Sequence, residues 1–194
     1  ISRYHISGTG IQMMLRKLVE QHKQEFKIFA KASSKSGFIE HIESMITELK
    51  RYCLTPQDME EKLERMSVNA TRQEKALADK LHDVILLYKQ LEIELSGTYV
   101  DSEDYLKLLA EKIAESSYIR SADIYIDGFH SFTPQEYEVI KAIMNHAKSV
   151  TIALTADKPF HEHLPHELHL FRMTGMTYHK LSMLAEESKM DVDE

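Results

Sequence analysis

A chain of 194 residues with 31 acidic against 24 basic side chains carries a net charge of −7, which excludes a global basic footprint for nucleic acid. Cys53 is alone, so an internal disulfide, a four-cysteine zinc site and an iron–sulfur cluster built within these residues are all excluded, and a reducing compartment is favoured. No apolar run approaches the roughly 18–20 residues of a membrane span and residues 1–10 do not read as a secretory signal, so the expectation is a soluble, cytoplasmic protein with no membrane role.

In chain order, Ile11, Met14, Leu15 and Leu18 have helical spacing over residues 11–22. A short apolar run at 26–30 predicts a strand. Residues 31–37 are polar and turn-rich, and Ser36 is placed to cap a helix beginning near Phe38. That helix sets Phe38, Ile42, Met45, Leu49 and Tyr52 on one stripe and stops before Thr55-Pro56, where a new helix start is written. From 60 to 95 the chain is charged and helical. Leu77, Leu81, Val84, Tyr88, Leu91 and Leu95 repeat every four and three residues, the seam of a long helix packed in a bundle. Ser96-Gly97-Thr98 breaks it, and Asp101 caps a helix carrying Tyr105, Leu109 and Ile113.

Residues 122–136 read Ala-Asp-Ile-Tyr-Ile-Asp127-Gly128-Phe-His-Ser-Phe-Thr133-Pro-Gln-Glu136. A short apolar run stopping at turn residues predicts a buried strand, and Thr133, Pro134 and Glu136 form a capping box for a helix over 134–146. A second buried strand follows at 149–154. Strand, helix and strand with short links make a βαβ unit, so the two strands are expected to be parallel. The fold class is therefore helix-rich α/β. A helical block over 38–118 interrupts a small parallel sheet supplied by its flanks.

Asp127 stands at the carboxyl end of a strand, where open α/β sheets place ligands. In a nucleotide-binding sheet an acid here holds Mg²⁺, and the next residue activates the attacking water. That next residue is Gly128, which has no acid–base group. The alternative is an Asp that merely caps a turn. Two other groups invite a chemical reading. Lys31, Ser33, Ser34 and Lys35 make a basic, hydroxyl-rich loop able to contact phosphates or simply be solvated. His161, His163, His166 and His169 offer four imidazoles, yet their spacing matches no metal motif and Pro165 interrupts them, so a solvated loop is the first reading and a metal site the second.

Residues 122–136 resemble the second nucleotide motif of superfamily 1 helicases, Asp-Glu-Phe-Gln-Asp-Thr-Ser-Pro-x-Gln. Asp127, Phe129 and Pro134 match and Thr133 replaces Ser, whereas Gly128, His130, Ser131, Phe132 and Glu136 depart. With Phe26-Lys-Ile-Phe-Ala-Lys-Ala-Ser-Ser-Lys-Ser-Gly-Phe38 and Glu48-Leu-Lys-Arg-Tyr52, the chain is similar over roughly residues 11–187 to the AddB components of AddAB-type helicase–nucleases. The resemblance implies a partial RecA-like (P-loop NTPase type) motor subdomain over 1–37 and 119–194, with a helical subdomain inserted over 38–118. Asp127 and Gly128 would be a degenerate Walker B pair, and Lys31 to Lys35 would touch DNA. It further implies a longer parent, in keeping with a start at Ile1, that works with an AddA-type helicase–nuclease as a heterodimer on double-strand DNA ends. Mg²⁺, ATP and a 4Fe-4S cluster belong to that parent. These residues themselves are expected to bind no cofactor, since none of the six glycines precedes Lys-Ser or Lys-Thr and one cysteine holds no cluster. The resulting expectation is a non-catalytic helicase-like scaffold for DNA and partner. The rivals are a truncated but active P-loop ATPase and a helical protein-interaction module.

Overall fold

The computed structural model describes residues 3–66, 71–161 and 163–193. The chain divides into two compact units, the first ending at Tyr105 and the second beginning at Leu106.

In the first unit, β1 (Tyr4–His5) leads into α1 (Gly8–Gln21), whose amino end is capped by Ser7. Then come α2 (Phe29–Ala32), α3 (Phe38–Arg51), α4 (Pro56–Met66), α5 (Arg72–Leu95) and β2 (Tyr99–Val100), which pairs in parallel with β1. The core joins Leu15 and Leu18 of α1, Ile42 and Ile46 of α3, and Val84, Leu87 and Leu91 of α5. Full burial of each of these larger side chains contributes roughly 1.5–3 kcal/mol. Thr71 and Glu74 cap α5 reciprocally. The predicted seam holds from Val84 to Leu95, whereas Leu77 is exposed. The expected 60–95 helix is resolved into α4 and α5, and residues 67–70 between them lie outside the described residues.

Three expectations for the first unit need correction. Residues 26–30 form no strand: Phe26 to Ile28 is a bend that leads into α2. The amides of Lys27, Ile28 and Phe29 are taken up by a distant carboxylate, Asp83, rather than by a neighbouring strand. Ser36 does not cap α3; Gly37 does, at φ 78 and with no side-chain bond. The buried stripe of α3 is Ile39, Ile42, Ile46 and Lys50, one position round from the predicted one, and Tyr52 is exposed. Ile39 and Ile46 set that face, and it ends in Lys50, whose ammonium lies among acids, 2.7 Å from Asp101, 2.9 Å from Glu92 and 3.1 Å from Asp104.

Asp101 does cap α6 (Asp104–Ile113), accepting from the amides of Glu103 and Asp104 at 3.0 Å each. The division between units falls inside α6. Tyr105 and Leu109 are half exposed, and Ile113 is buried.

The second unit continues through α7 (Ser117–Ser121), β3 (Asp123–Ile126), α8 (Pro134–His146), β4 (Ser149–Ile152) and α9 (Arg172–Glu187). The βαβ unit is present, with β3 and β4 parallel and Ile124 opposite Val150. Its strands are not fully buried. Ile126, Val150 and Ile152 pack on Ile140 and Met144 of α8 and Leu181 of α9, while Tyr125 on the other face is 76% exposed. Helices cover one face of the sheet, so the side chains alternate in burial. The two strand pairs are separate sheets of two strands each. Residues 1–37 lie in the first unit, with α3, α4 and α5.

Candidate functional site

The chain leaves the sheet at Ile126, whose carbonyl receives the amide of Ala153 at 2.9 Å. Asp127 follows, exposed, at the carboxyl end of β3 as expected. One of its carboxylate oxygens accepts from the Gly128 amide at 2.7 Å, a local turn bond. Gly128 has φ 85, left-handed backbone that any side chain would strain. Both readings of Asp127 thus keep support: the turn bond is the structural one, and the exposed strand end is the place for a ligand.

The loop beyond is held on both sides. The rings of Phe129 and Phe132 lie 5.0 Å apart and those of Phe132 and Tyr137 5.6 Å apart. Thr177 of α9 donates to the His130 carbonyl at 2.9 Å. The capping box forms as predicted: Glu136 accepts from the Thr133 amide at 2.6 Å, and Thr133 accepts from the Glu136 amide at 3.3 Å. At the opposite end of β3, Asp123 accepts from Ser149 at 2.6 Å and Lys148 at 3.1 Å, and these bonds hold its carboxyl below the usual range.

A Mg²⁺-bound nucleotide needs more than this. Asp127 supplies one carboxylate, Gly128 supplies nothing, and among the described residues no three His, Cys, Asp or Glu side chains converge on a point that could hold a metal. The residues present do not by themselves fit Mg²⁺-nucleotide, and one exposed cysteine does not fit a 4Fe-4S cluster.

Lys31 lies in α2, and Ser33, Ser34 and Lys35 in the turns after it. The Ser33 hydroxyl donates to the Ala30 carbonyl at 3.1 Å and that of Ser34 to Lys31 at 3.4 Å. The exposed ammonium groups of Lys31 and Lys35 remain, and among the described residues neither joins an ion pair.

The histidines are occupied locally. His161 meets the Tyr178 hydroxyl at 2.8 Å, His166 accepts from the Leu168 amide, and His169 accepts from Phe171 while its Nε2 lies 3.4 Å from Asp157. His163 is exposed. All four line an open hollow of about 490 Å³ without forming a metal-ligand set.

Sequence reasoning missed Asp83. The available signal was a carboxylate lodged in the apolar seam of α5, immediately before Val84.

The family described as ADDB, N-terminal, matches residues 1–194. The chain belongs to the AddB N-terminal family. It is 52% identical over 192 residues to the B component of the ATP-dependent helicase/deoxyribonuclease of Bacillus subtilis (strain 168), covering 99% of this chain and 16% of that protein. Against the protein of the same name from Geobacillus kaustophilus (strain HTA426) it is 50% identical over 195 residues, covering 100% and 17%. The relative from Bacillus pumilus (strain SAFR-032) is 47% identical over 193 residues, covering 100% and 16%. The chain spans about one sixth of the length of these relatives. Membership in the AddB family bears out the resemblance carried by residues 26–38, 48–52 and 122–136.

Proposed function

We propose that residues 1–194 are a non-catalytic, helicase-like scaffold within the AddB component of an ATP-dependent helicase/deoxyribonuclease, acting on double-strand DNA ends for recombinational repair. In this reading the two parallel strands β3 and β4 belong to a degenerate RecA-like motor region that residues 1–37 and 119–194 help to build, with 38–118 inserted. The relatives are named as one lettered component of a multi-subunit enzyme, which supports a partner. We take that partner to be an AddA-type helicase–nuclease in a heterodimer. ATP, Mg²⁺ and a 4Fe-4S cluster are assigned to other parts of the parent. Among the described residues no helix is long and apolar enough to cross a membrane, and we place the complex in the cytoplasm with its DNA.

The observation that carries the scaffold reading is the pair Asp127–Gly128. Asp127 keeps the position of a metal acid, whereas Gly128 occupies the place where helicases carry the water-activating glutamate. Loss of a general base alone typically removes about 10²–10⁴-fold of rate. Positioning of the γ-phosphate further requires a phosphate-cradling loop, and none of the six glycines here builds one. The test is direct: the purified chain, incubated with Mg²⁺ and ATP, releases no phosphate above background. Turnover that Asp127→Ala abolishes would overturn the scaffold reading and favour an active ATPase.

A further inference from the structure

Asp83 is a carboxylate with no solvent exposure, set among Val84, Leu87 and Leu91 of α5. A buried charge of this kind survives only if its oxygens are fully engaged. Here they accept from the amides of Lys27, Ile28 and Phe29, each at 2.9 Å, and Oδ1 lies 3.0 Å from Nδ1 of His82. Those amides sit at the amino end of α2, whose own N-cap residue, Ile28, offers no side-chain bond. A residue more than fifty positions away thus supplies the cap that the local sequence lacks. A four-residue helix cannot repay its own nucleation, so its existence depends on such outside bonds. Lys27 adds a second tether, 3.4 Å from Asp79 one turn earlier on α5, and Phe29 packs edge-on against Phe38 at 5.2 Å.

Lys31 lies on α2 and Lys35 just beyond it. We propose that Asp83 is the positioning residue of this loop, its carboxylate holding residues 27–29 so that Lys31 and Lys35 are presented together to the phosphates of a nucleic-acid strand. The assignment rests on the reading of residues 31–35 as a DNA-contact loop. It adds that the long helix of the helical block sets the loop's geometry. Lysine side chains are flexible, so a fixed backbone is what lets two of them meet neighbouring phosphates without a large ordering penalty.

The test uses the full-length AddB protein in complex with its partner and a fluorescent oligothymidylate, with affinity measured against salt. Lys31→Ala with Lys35→Ala weakens binding on the order of tenfold at about 0.1 M salt and lowers the log–log salt slope by about 1.4, or about 0.7 for each single-strand phosphate contact. Asp83→Ala lowers affinity and slope in the same direction, speeds amide exchange at residues 27–29, and adds nothing further when combined with the lysine pair. Asp83→Asn is intermediate, because its amide oxygen still accepts from Ile28 and Phe29, and it carries the test if Asp83→Ala does not fold. Leu91→Ala, a core truncation elsewhere on α5, leaves the slope unchanged. A lysine pair that matters beside an Asp83→Ala that does not overturns the positioning role alone. Losses that add, or that Leu91→Ala reproduces, also overturn it, leaving Asp83 a stability role. A lysine pair without effect overturns the contact reading, and the positioning role falls with it.

Discussion

Lys50→Met removes one ammonium from the first unit while retaining most of the stem's volume. The Lys50 side chain is 6% exposed, and its ammonium touches three acids, Asp101, Glu92 and Asp104. Deleting one member of a buried ion cluster costs about 3–5 kcal/mol, because the remaining charge is left uncompensated. Glu92 and Asp104 are 43% and 29% exposed and can turn toward water. Asp101 is only 12% exposed, and its other oxygen is committed to the two amides that start α6. One stranded carboxylate instead of three places the loss at the lower end, about 3 kcal/mol. The sign with pH follows from Lys50 itself. Burial opposes its charge, yet hydrogen bonds to Asp101 and Glu92 outweigh burial and raise its pKa above the ordinary 10.5. A raised pKa means that the cluster's contribution is fully present below 10.5 and is lost as pH climbs through the folded value. Urea unfolding of wild type and Lys50→Met should therefore differ by about 3 kcal/mol at pH 7, and the gap should narrow above pH 10.5. A gap under about 1 kcal/mol at pH 7, or one that stays constant into the alkaline range, would refute the reasoning.

Thr133→Ala should lower the stability of the second unit by about 1 kcal/mol in the same assay, since it deletes the acceptor for the Glu136 amide and half of the capping box. A change within a few tenths of a kcal/mol would mean that water replaces the cap. Gly128→Glu in the full-length AddB protein should leave its ATP turnover unchanged, as read by phosphate release. A robust rise would show that the missing carboxylate was the whole defect.

Features written in neighbouring residues were legible. The Thr133–Glu136 box, the Asp101 cap and the parallel βαβ pair depend on contacts spanning a few positions or on a short crossover, and all three are found. What sequence could not show were bonds closed across long separations. Phe26 to Ala30 has strand composition, but Asp83 captures the amides that a strand would use. Lys50 reads as a surface residue until Asp101 and Glu92 are brought to it. The pair β1–β2 has two residues per strand, too few for any alternation to register. Helix α9 gives no clear periodic signal because its buried face includes Thr174, Gly175 and Thr177 rather than large apolar residues throughout. Gly175 is required there, since a β-carbon would come within 2.8 Å of Phe160. At the candidate site, the position of Asp127 was legible, whereas the left-handed backbone at Gly128 and the local bonds of the Ser33 and Ser34 hydroxyls to backbone carbonyls were not.

Position 128 joins backbone to chemistry. Nothing lies within 4 Å of a β-carbon built on Gly128, so space is no obstacle to a larger residue. Its φ of 85 is the obstacle, one that strains an L side chain by about 1 kcal/mol. A glutamate placed there must accept that strain or pull the peptide back to extended backbone. The second course is resisted from the loop's far side, where Phe132 packs between Phe129 and Tyr137 and Thr177 holds the His130 carbonyl. If the strain is accepted, the carboxylate leaves the chain in a direction that an extended backbone would not send it, and hydrolysis depends on orientation as much as on the group itself. His130, standing where the helicase pattern has glutamine, would not supply the missing partner, and groups that act as a unit recover little when one is restored. The residues that set strand, loop and helix in place are intact, while those that would move a proton are missing from both side chain and backbone path. That combination is what the proposed scaffold reading requires of position 128.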